Sequence, residues 1–142
     1  MTADRFPLGR RAFVDTSAYY ALTDARDASH EAANRFMASL LDRGARLFTS
    51  NFIIAETHAL LLTRLSRTTA LRVIQAIESG TTTVVRVSAA DERRARAILT
   101  QYDDKDFSLT DATSFAIMER LHIPYALTFD SDFRQYGLPV VS

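Results

Sequence analysis

The run Ala12-Phe13-Val14 carries no polar residue, and Asp15-Thr16-Ser17 follows it at once, ahead of a helical stretch from Ala18. A strand without alternation is buried on both faces, which calls for a mostly parallel sheet with helices on either side. The rest of the chain alternates in the same way. A short helix over about Ser17–Thr23 is followed by a second from about Ser29, with Ala33, Phe36, Met37, Leu40 and Leu41 at helical spacing and Gly44 as its stop. Arg46–Thr49 reads as a strand. Ser50 or Asn51 then caps NFIIAETHALLLTRL, a helix apolar nearly all round and so expected to be buried on more than one side. Thr68–Ser79 forms its hairpin partner, with Leu71, Ile74 and Ile77 expected inward and Gly80 at its end.

The β-branched segment Thr82–Val87 predicts a third strand, and Ala89–Tyr102 a helix with Ala95, Ile98 and Leu99 inward. An acidic loop, Asp103-Asp104-Lys105-Asp106, leads to a helix over about Thr110–His122. Tyr125–Thr128 is a strand, Ser131–Tyr136 a turn or two of helix, and Pro139-Val140-Val141 a last strand. Strands alternating with helices predict a three-layer α/β/α sandwich around a mostly parallel five-stranded sheet. Residues 1–10 read as an N-terminal leader and 11–142 as one domain.

Bulk composition mainly excludes. There is no cysteine, hence no disulfide framework, thiolate metal ligand or cysteine nucleophile. Seventeen basic and seventeen acidic residues cancel, so net charge steers toward neither nucleic acid nor membrane. No apolar run approaches the roughly eighteen residues of a membrane span, and a cytoplasmic location is the default expectation. His30, His58 and His122 lack metal-ligand spacing.

Four acids stand where the local pattern asks for a charge weakly or not at all. Asp15 and Asp130 each end an apolar strand, at the edge where open α/β sheets place their ligands. Glu56 lies among Phe52, Ile53, Ile54, Leu60 and Leu61, and charged residues are rarely buried without a partner. Asp111 follows Ser108 by three residues at the start of a helix. Each also has a bland explanation: a helix cap for Asp15 and Asp130, a wet helix edge for Glu56, and a capping box for Asp111. If they converge, each like-charge pair at about 4 Å costs roughly 4 kcal/mol at an effective dielectric near 20. A divalent cation is the natural compensation, and ligation by carboxylate oxygens suits Mg²⁺ or Mn²⁺.

Phe13-Val14-Asp15-Thr16-Ser17, Thr49-Ser50-Asn51-Phe52-Ile53-Ile54-Ala55-Glu56, Leu109-Thr110-Asp111-Ala112 with Ser114-Phe115-Ala116, and Leu127-Thr128-Phe129-Asp130-Ser131-Asp132-Phe133 occur in that order. Together they resemble the PIN-domain ribonucleases, VapC-type toxins in particular. The resemblance implies a Rossmann-like sheet, an acidic pocket for Mg²⁺ or Mn²⁺, and endonucleolytic RNA cleavage leaving 5′-phosphate and 3′-hydroxyl ends. It implies that Asp15, Glu56, Asp111 and Asp130 are the catalytic, metal-holding acids. Ser17 and Thr128 match small hydroxyl positions beside them, and Asp132 is expected behind the ligands. It also implies an antitoxin partner. Arg64, Arg67 and Arg72 on the hairpin, with Arg93, Arg94 and Arg96 on the later helix, are the candidates for RNA contacts; otherwise they are solvated helix faces. The apolar surplus of the hairpin points to a homodimer.

Three other readings fit less well. A phosphatase of haloacid-dehalogenase type would need a second acid where Ser17 stands. A response-regulator receiver would need a lysine after a late strand, and the only lysine, Lys105, lies in a loop. An inactive PIN fold serving as an interaction module is disfavoured by the four intact acids.

Overall fold

The computed structural model describes residues 10–141, so the expected leader lies outside the described residues except for Arg10. Five strands, β1 (Arg11–Val14), β2 (Arg46–Ser50), β3 (Thr83–Val85), β4 (Tyr125–Leu127) and β5 (Val140–Val141), pair in the order β3-β2-β1-β4-β5, all parallel. The helices are α1 (Thr16–Thr23), α2 (His30–Asp42), α3 (Asn51–Arg64), α4 (Arg67–Ser79), α5 (Ala89–Gln101), α6 (Leu109–Leu121) and α7 (Asp132–Tyr136). The uninterrupted apolar strands take the centre: Ala12, Phe13 and Val14 of β1 and Tyr125, Ala126 and Leu127 of β4 are buried. The short β3, whose residues Thr83, Val84 and Val85 are all at least partly exposed, takes an edge.

Strand order fixes where a ligand can sit. The chain moves outward from β1 to β2 to β3, then returns to β4 beside β1 and on to β5. Right-handed crossovers therefore place α1–α4 on one face and α5–α7 on the other. The order in which strands are added reverses between β1 and β4, and the crevice at the carboxyl ends of those two parallel strands is the switch point. The ladder continues past β1, with the Asp15 amide donating to Leu127 O at 3.2 Å. Asp15 is thus level with the residues that follow β4.

Arg11, at the start of β1, ties down the far end of α6. Its Nη1 and Nη2 donate to the carbonyls of Leu121 and His122, each at 2.8 Å, where the helix dipole favours a cation. Strand and helix carry Asp15 and Asp111 at their other ends. Gly44 takes φ +69° to end α2, as its position predicts.

Three local expectations need correcting. Helix α3 is not enclosed: although it has α1, α4, α6 and β2 as neighbours, its fully buried residues are Ile53, Thr57 and Leu61, a single stripe, and Leu62 is 47% exposed. Leu71, expected inward, is 42% exposed, because the buried stripe of α4 is Ala70 and Ile77 and Leu71 lies a further 100° or so around the helix. Strand β3 is shorter than Thr82–Val87, since its partner β2 offers only Phe48–Ser50 before turning into α3.

Candidate active site

Four aspartates meet at the switch point. Asp15, 3% exposed, is the N-cap of α1. Its Oδ2 accepts from Ser17 Oγ and Thr128 Oγ1, both at 2.9 Å, and from the Ser17 amide at 3.4 Å. Those hydroxyls are held in turn by the backbone after β4: the Phe129 amide donates to Ser17 Oγ at 2.9 Å, and the Asp130 amide to Thr128 Oγ1 at 3.0 Å. With Asp15 ionised, each hydroxyl spends its proton on the carboxylate and its lone pair on an amide. Both expected hydroxyl positions, Ser17 and Thr128, are therefore in contact with Asp15.

Asp111, Asp130 and Asp132 each offer a carboxylate oxygen within 4.8 Å of the other two, a geometry that can hold a metal ion. Asp132 was expected behind the ligands. Instead it stands level with them, because its amide donates to Asp130 Oδ1 at 3.0 Å and its carboxyl shares a hydrogen bond with Asp111. Glu56 differs: it is exposed on α3, one residue from the buried Thr57 that packs on Thr16, and it is not part of this cluster.

Burial is the main reason the Asp15 carboxyl is pushed up to about 6, with the hydroxyl bonds pulling the other way and Asp130 adding repulsion. Asp111 is pushed up to about 8, first by burial and then by the bond to Asp132, with Asp130 and Asp15 also raising it. Asp130 is raised too, chiefly by burial.

A comparison within the chain shows what this site wants. Helices α5 and α6 open on the same device, a Ser-x-x-Asp capping box, Ser88 with Asp91 and Ser108 with Asp111. Both aspartates are buried. Asp91 meets a cation, with Arg120 Nε and Nη2 donating to its two oxygens at 2.8 Å each, and its carboxyl is lowered, most of all by that bond. Asp111, in the same local setting, meets carboxylates. The capping reading of Asp111 is correct and explains its position on the helix, but not its company. An all-oxygen donor set with raised carboxyls fits a hard divalent cation.

A cavity of about 190 Å³ opens beside Asp130, lined by Ser29, Thr128, Phe129, Ser131, Arg134 and Val140. Of these, Ser29 and Arg134 carry no signal in the sequence that ties them to the acids, and Phe129 enters only as part of the motif around Asp130. The expected RNA-contacting arginines Arg64, Arg67, Arg72, Arg93, Arg94 and Arg96 are all exposed. Two of them are engaged within the protein: Arg64 lies over the Tyr20 ring at 5.3 Å, and Arg94 Nε donates to Glu119 at 3.1 Å. The acidic loop is solvated as expected, with Asp103, Asp104 and Asp106 exposed.

The raised carboxyls set a sign for stability against pH. The unfolded chain releases these protons near pH 4, whereas the folded protein holds them to about 6 and about 8. The folded state binds more protons across that window, so metal-free protein loses stability as pH rises from about 4 to about 8. Thermal melts in chelator are expected to show a lower midpoint at pH 8 than at pH 5; a flat or rising midpoint contradicts it.

Residues 12–138 match the PIN domain family. The chain is 38% identical over 125 residues to the 23S rRNA-specific endonuclease VapC20 of Mycobacterium tuberculosis, covering 88% of this chain and 93% of that protein. It superposes on the crystal structure of Mycobacterium tuberculosis VapC20, described as a sarcin-ricin loop cleaving toxin, with TM-score 0.83 and 36% identity, over 89% of this chain and 95% of that one. VapBC2 from Rickettsia felis, solved with a promoter DNA fragment, shares the fold at TM-score 0.69 and 12% identity, over 92% and 96% of the two chains.

Proposed function

The chain belongs to the PIN domain family, and on that footing we propose that it is a metal-dependent endoribonuclease, the toxin of a type II toxin–antitoxin pair. The observation that carries the metal-dependent part is the facing of buried Asp111 by Asp130 and Asp132, where its twin Asp91 faces Arg120. We take the catalytic unit to be a single domain over residues 11–142, acting in the cytoplasm. Among the described residues no helix is long and apolar enough to cross a membrane.

Asp15, Asp111, Asp130 and Asp132 would hold the cation, Mg²⁺ or Mn²⁺; Glu56, exposed on α3, remains a candidate that would reach the site only through water or substrate. When bound, that cation supplies Lewis acidity toward the phosphate oxygens and toward the attacking water. Ser17 and Thr128 keep Asp15 ionised and aimed by donating to one of its oxygens. The capping box holds the Asp111 backbone and one of its oxygens through Ser108, leaving the acid in a fixed orientation. The cavity beside Asp130 gives an RNA chain room next to the acids, with Phe129 and Arg134 among its lining residues. Arg67 and Arg72 are candidates for more distant phosphates.

The partners belong to the same proposal. A cognate antitoxin is expected because the protein described for VapC20 is a toxin. A homodimer through the hairpin is supported by its exposed Leu62 and Leu71. The decisive experiment incubates purified protein with RNA containing the 23S rRNA sarcin-ricin loop, the element named for VapC20, in Mg²⁺, in Mn²⁺ and in chelator. Cleavage is expected only with metal, leaving 5′-phosphate and 3′-hydroxyl ends. Cyclic-phosphate products formed in chelator would overturn the mechanism.

A further inference from the structure

Helix α6 presents Asp111, Phe115 and Glu119 at i, i+4 and i+8, along one side of the helix. Helix α7, only five residues long, meets that side at three levels. At the first, Asp132 shares a hydrogen bond with Asp111. At the second, Phe115 is the platform: the Phe133 ring stands edge-on to it at 5.0 Å, and Tyr136 stacks on it at 4.4 Å with the rings 9° from parallel. At the third, the Tyr136 hydroxyl donates to Glu119 Oε2 at 2.6 Å. Arg94 of α5 closes this end, its Nε donating to Glu119 Oε1 at 3.1 Å and its Nη2 to the Tyr136 hydroxyl at 3.2 Å.

A helix this short has too few internal bonds to fix its own direction. Phe133 anchors it in the core, fully buried, but that ring and the Asp132 amide bond to Asp130 Oδ1 both lie in its first turn and leave the far end to be set by other contacts. The Tyr136 contact lies one turn beyond Asp132 and supplies the second point that fixes the orientation. We infer that Tyr136 and Glu119 are positioning residues, a latch that sets α7 so that Asp132 completes the acidic cluster with Asp111 and Asp130. The inference rests on the metal-centre reading above, and it reaches further, because it assigns a role in cation affinity to two residues remote from the cation.

Mn²⁺ binding by the metal-free protein at pH 8, followed as loss of the free-ion electron paramagnetic resonance signal, tests the latch. Tyr136→Phe keeps the stacked ring and removes only the hydroxyl. It is expected to weaken Mn²⁺ about tenfold, the low end of effects seen when groups that orient ligands are removed. Glu119→Ala should do the same, whereas Glu119→Gln, which keeps an acceptor for the hydroxyl, should retain most of the affinity. Asp132→Asn removes the residue through which the latch acts, so adding Tyr136→Phe to it should change nothing more. A purely structural role would lower the melting temperature in chelator and leave Mn²⁺ affinity at the parent value. That result overturns the latch, as does a loss in the double variant equal to the product of the two single losses, or an Asp132→Asn variant that binds as the parent does. A parent that takes up no Mn²⁺ overturns the metal-centre reading itself, and the latch with it.

Discussion

Asp15→Asn is expected to lower RNA cleavage by about 10²–10⁴-fold while leaving the protein folded, the range found when a group acting directly on the reacting atoms is removed. Asparagine has the shape of aspartate, and its Oδ1 can still accept from Ser17 and Thr128, so the hydroxyl network that crosses from α1 to the backbone after β4 has no reason to collapse. What disappears is one negative charge, placed at the carboxyl end of the central strand next to Asp130 and Asp111. Initial rates on a defined RNA, with far-ultraviolet circular dichroism of the same sample, check both halves of the claim. A variant that keeps more than a tenth of the parent rate would remove Asp15 from the catalytic site.

The same substitution should make the metal-free protein more stable. The Asp15 carboxyl is 3% exposed and pushed up to about 6, so at pH 8 the folded state holds it charged against its environment. One pKa unit corresponds to about 1.4 kcal/mol, so relief of this order contributes about 1–3 kcal/mol, or roughly 3–10 °C in melting temperature for a chain of this size. At pH 5 the acid is mostly protonated in the folded state and the advantage of asparagine should largely vanish. If Asp15 were a helix cap and nothing else, aspartate and asparagine would serve about equally at both pH values.

Much of the fold was legible because the strands announce themselves. Ala12-Phe13-Val14 and Tyr125-Ala126-Leu127 are short, unbroken apolar runs, and such runs belong in the middle of a parallel sheet, where both lie. The acids at their ends could then be placed at the switch point from the strand pattern alone. Burial of the hairpin was harder to read. The sequence of α3 is apolar on most sides, but burial is decided by how closely the neighbours cover the helix, and only the stripe Ile53, Thr57 and Leu61 is fully covered.

The site shows the same division. Asp111 sits where a capping box puts it, and a capping box cannot say whether the acid will face Arg120, as Asp91 does, or other acids. Asp132 was legible as a residue of the site but placed behind the other acids, and the Asp130-Ser131-Asp132 spacing explains why it stands beside them, since an aspartate at the first position of a short helix after a strand-end acid stays close to it. Glu56 was conspicuous in sequence because its neighbours are apolar, yet in space it is exposed. The Tyr136–Glu119 contact joins residues 17 apart on different helices, and no periodicity marks it.

The central claim is that these aspartates form a cation site, and thermal melting at pH 8 tests it most directly. Parent and Asp15→Asn are melted in chelator and again in millimolar Mg²⁺. In chelator the variant should melt higher, because one buried charge is gone. In Mg²⁺ the parent should gain more than the variant and close or reverse the gap, since a ligand bound only by the folded state stabilises it more the tighter it binds, as the logarithm of its affinity. Equal midpoints in chelator together with equal shifts in Mg²⁺ would contradict the account.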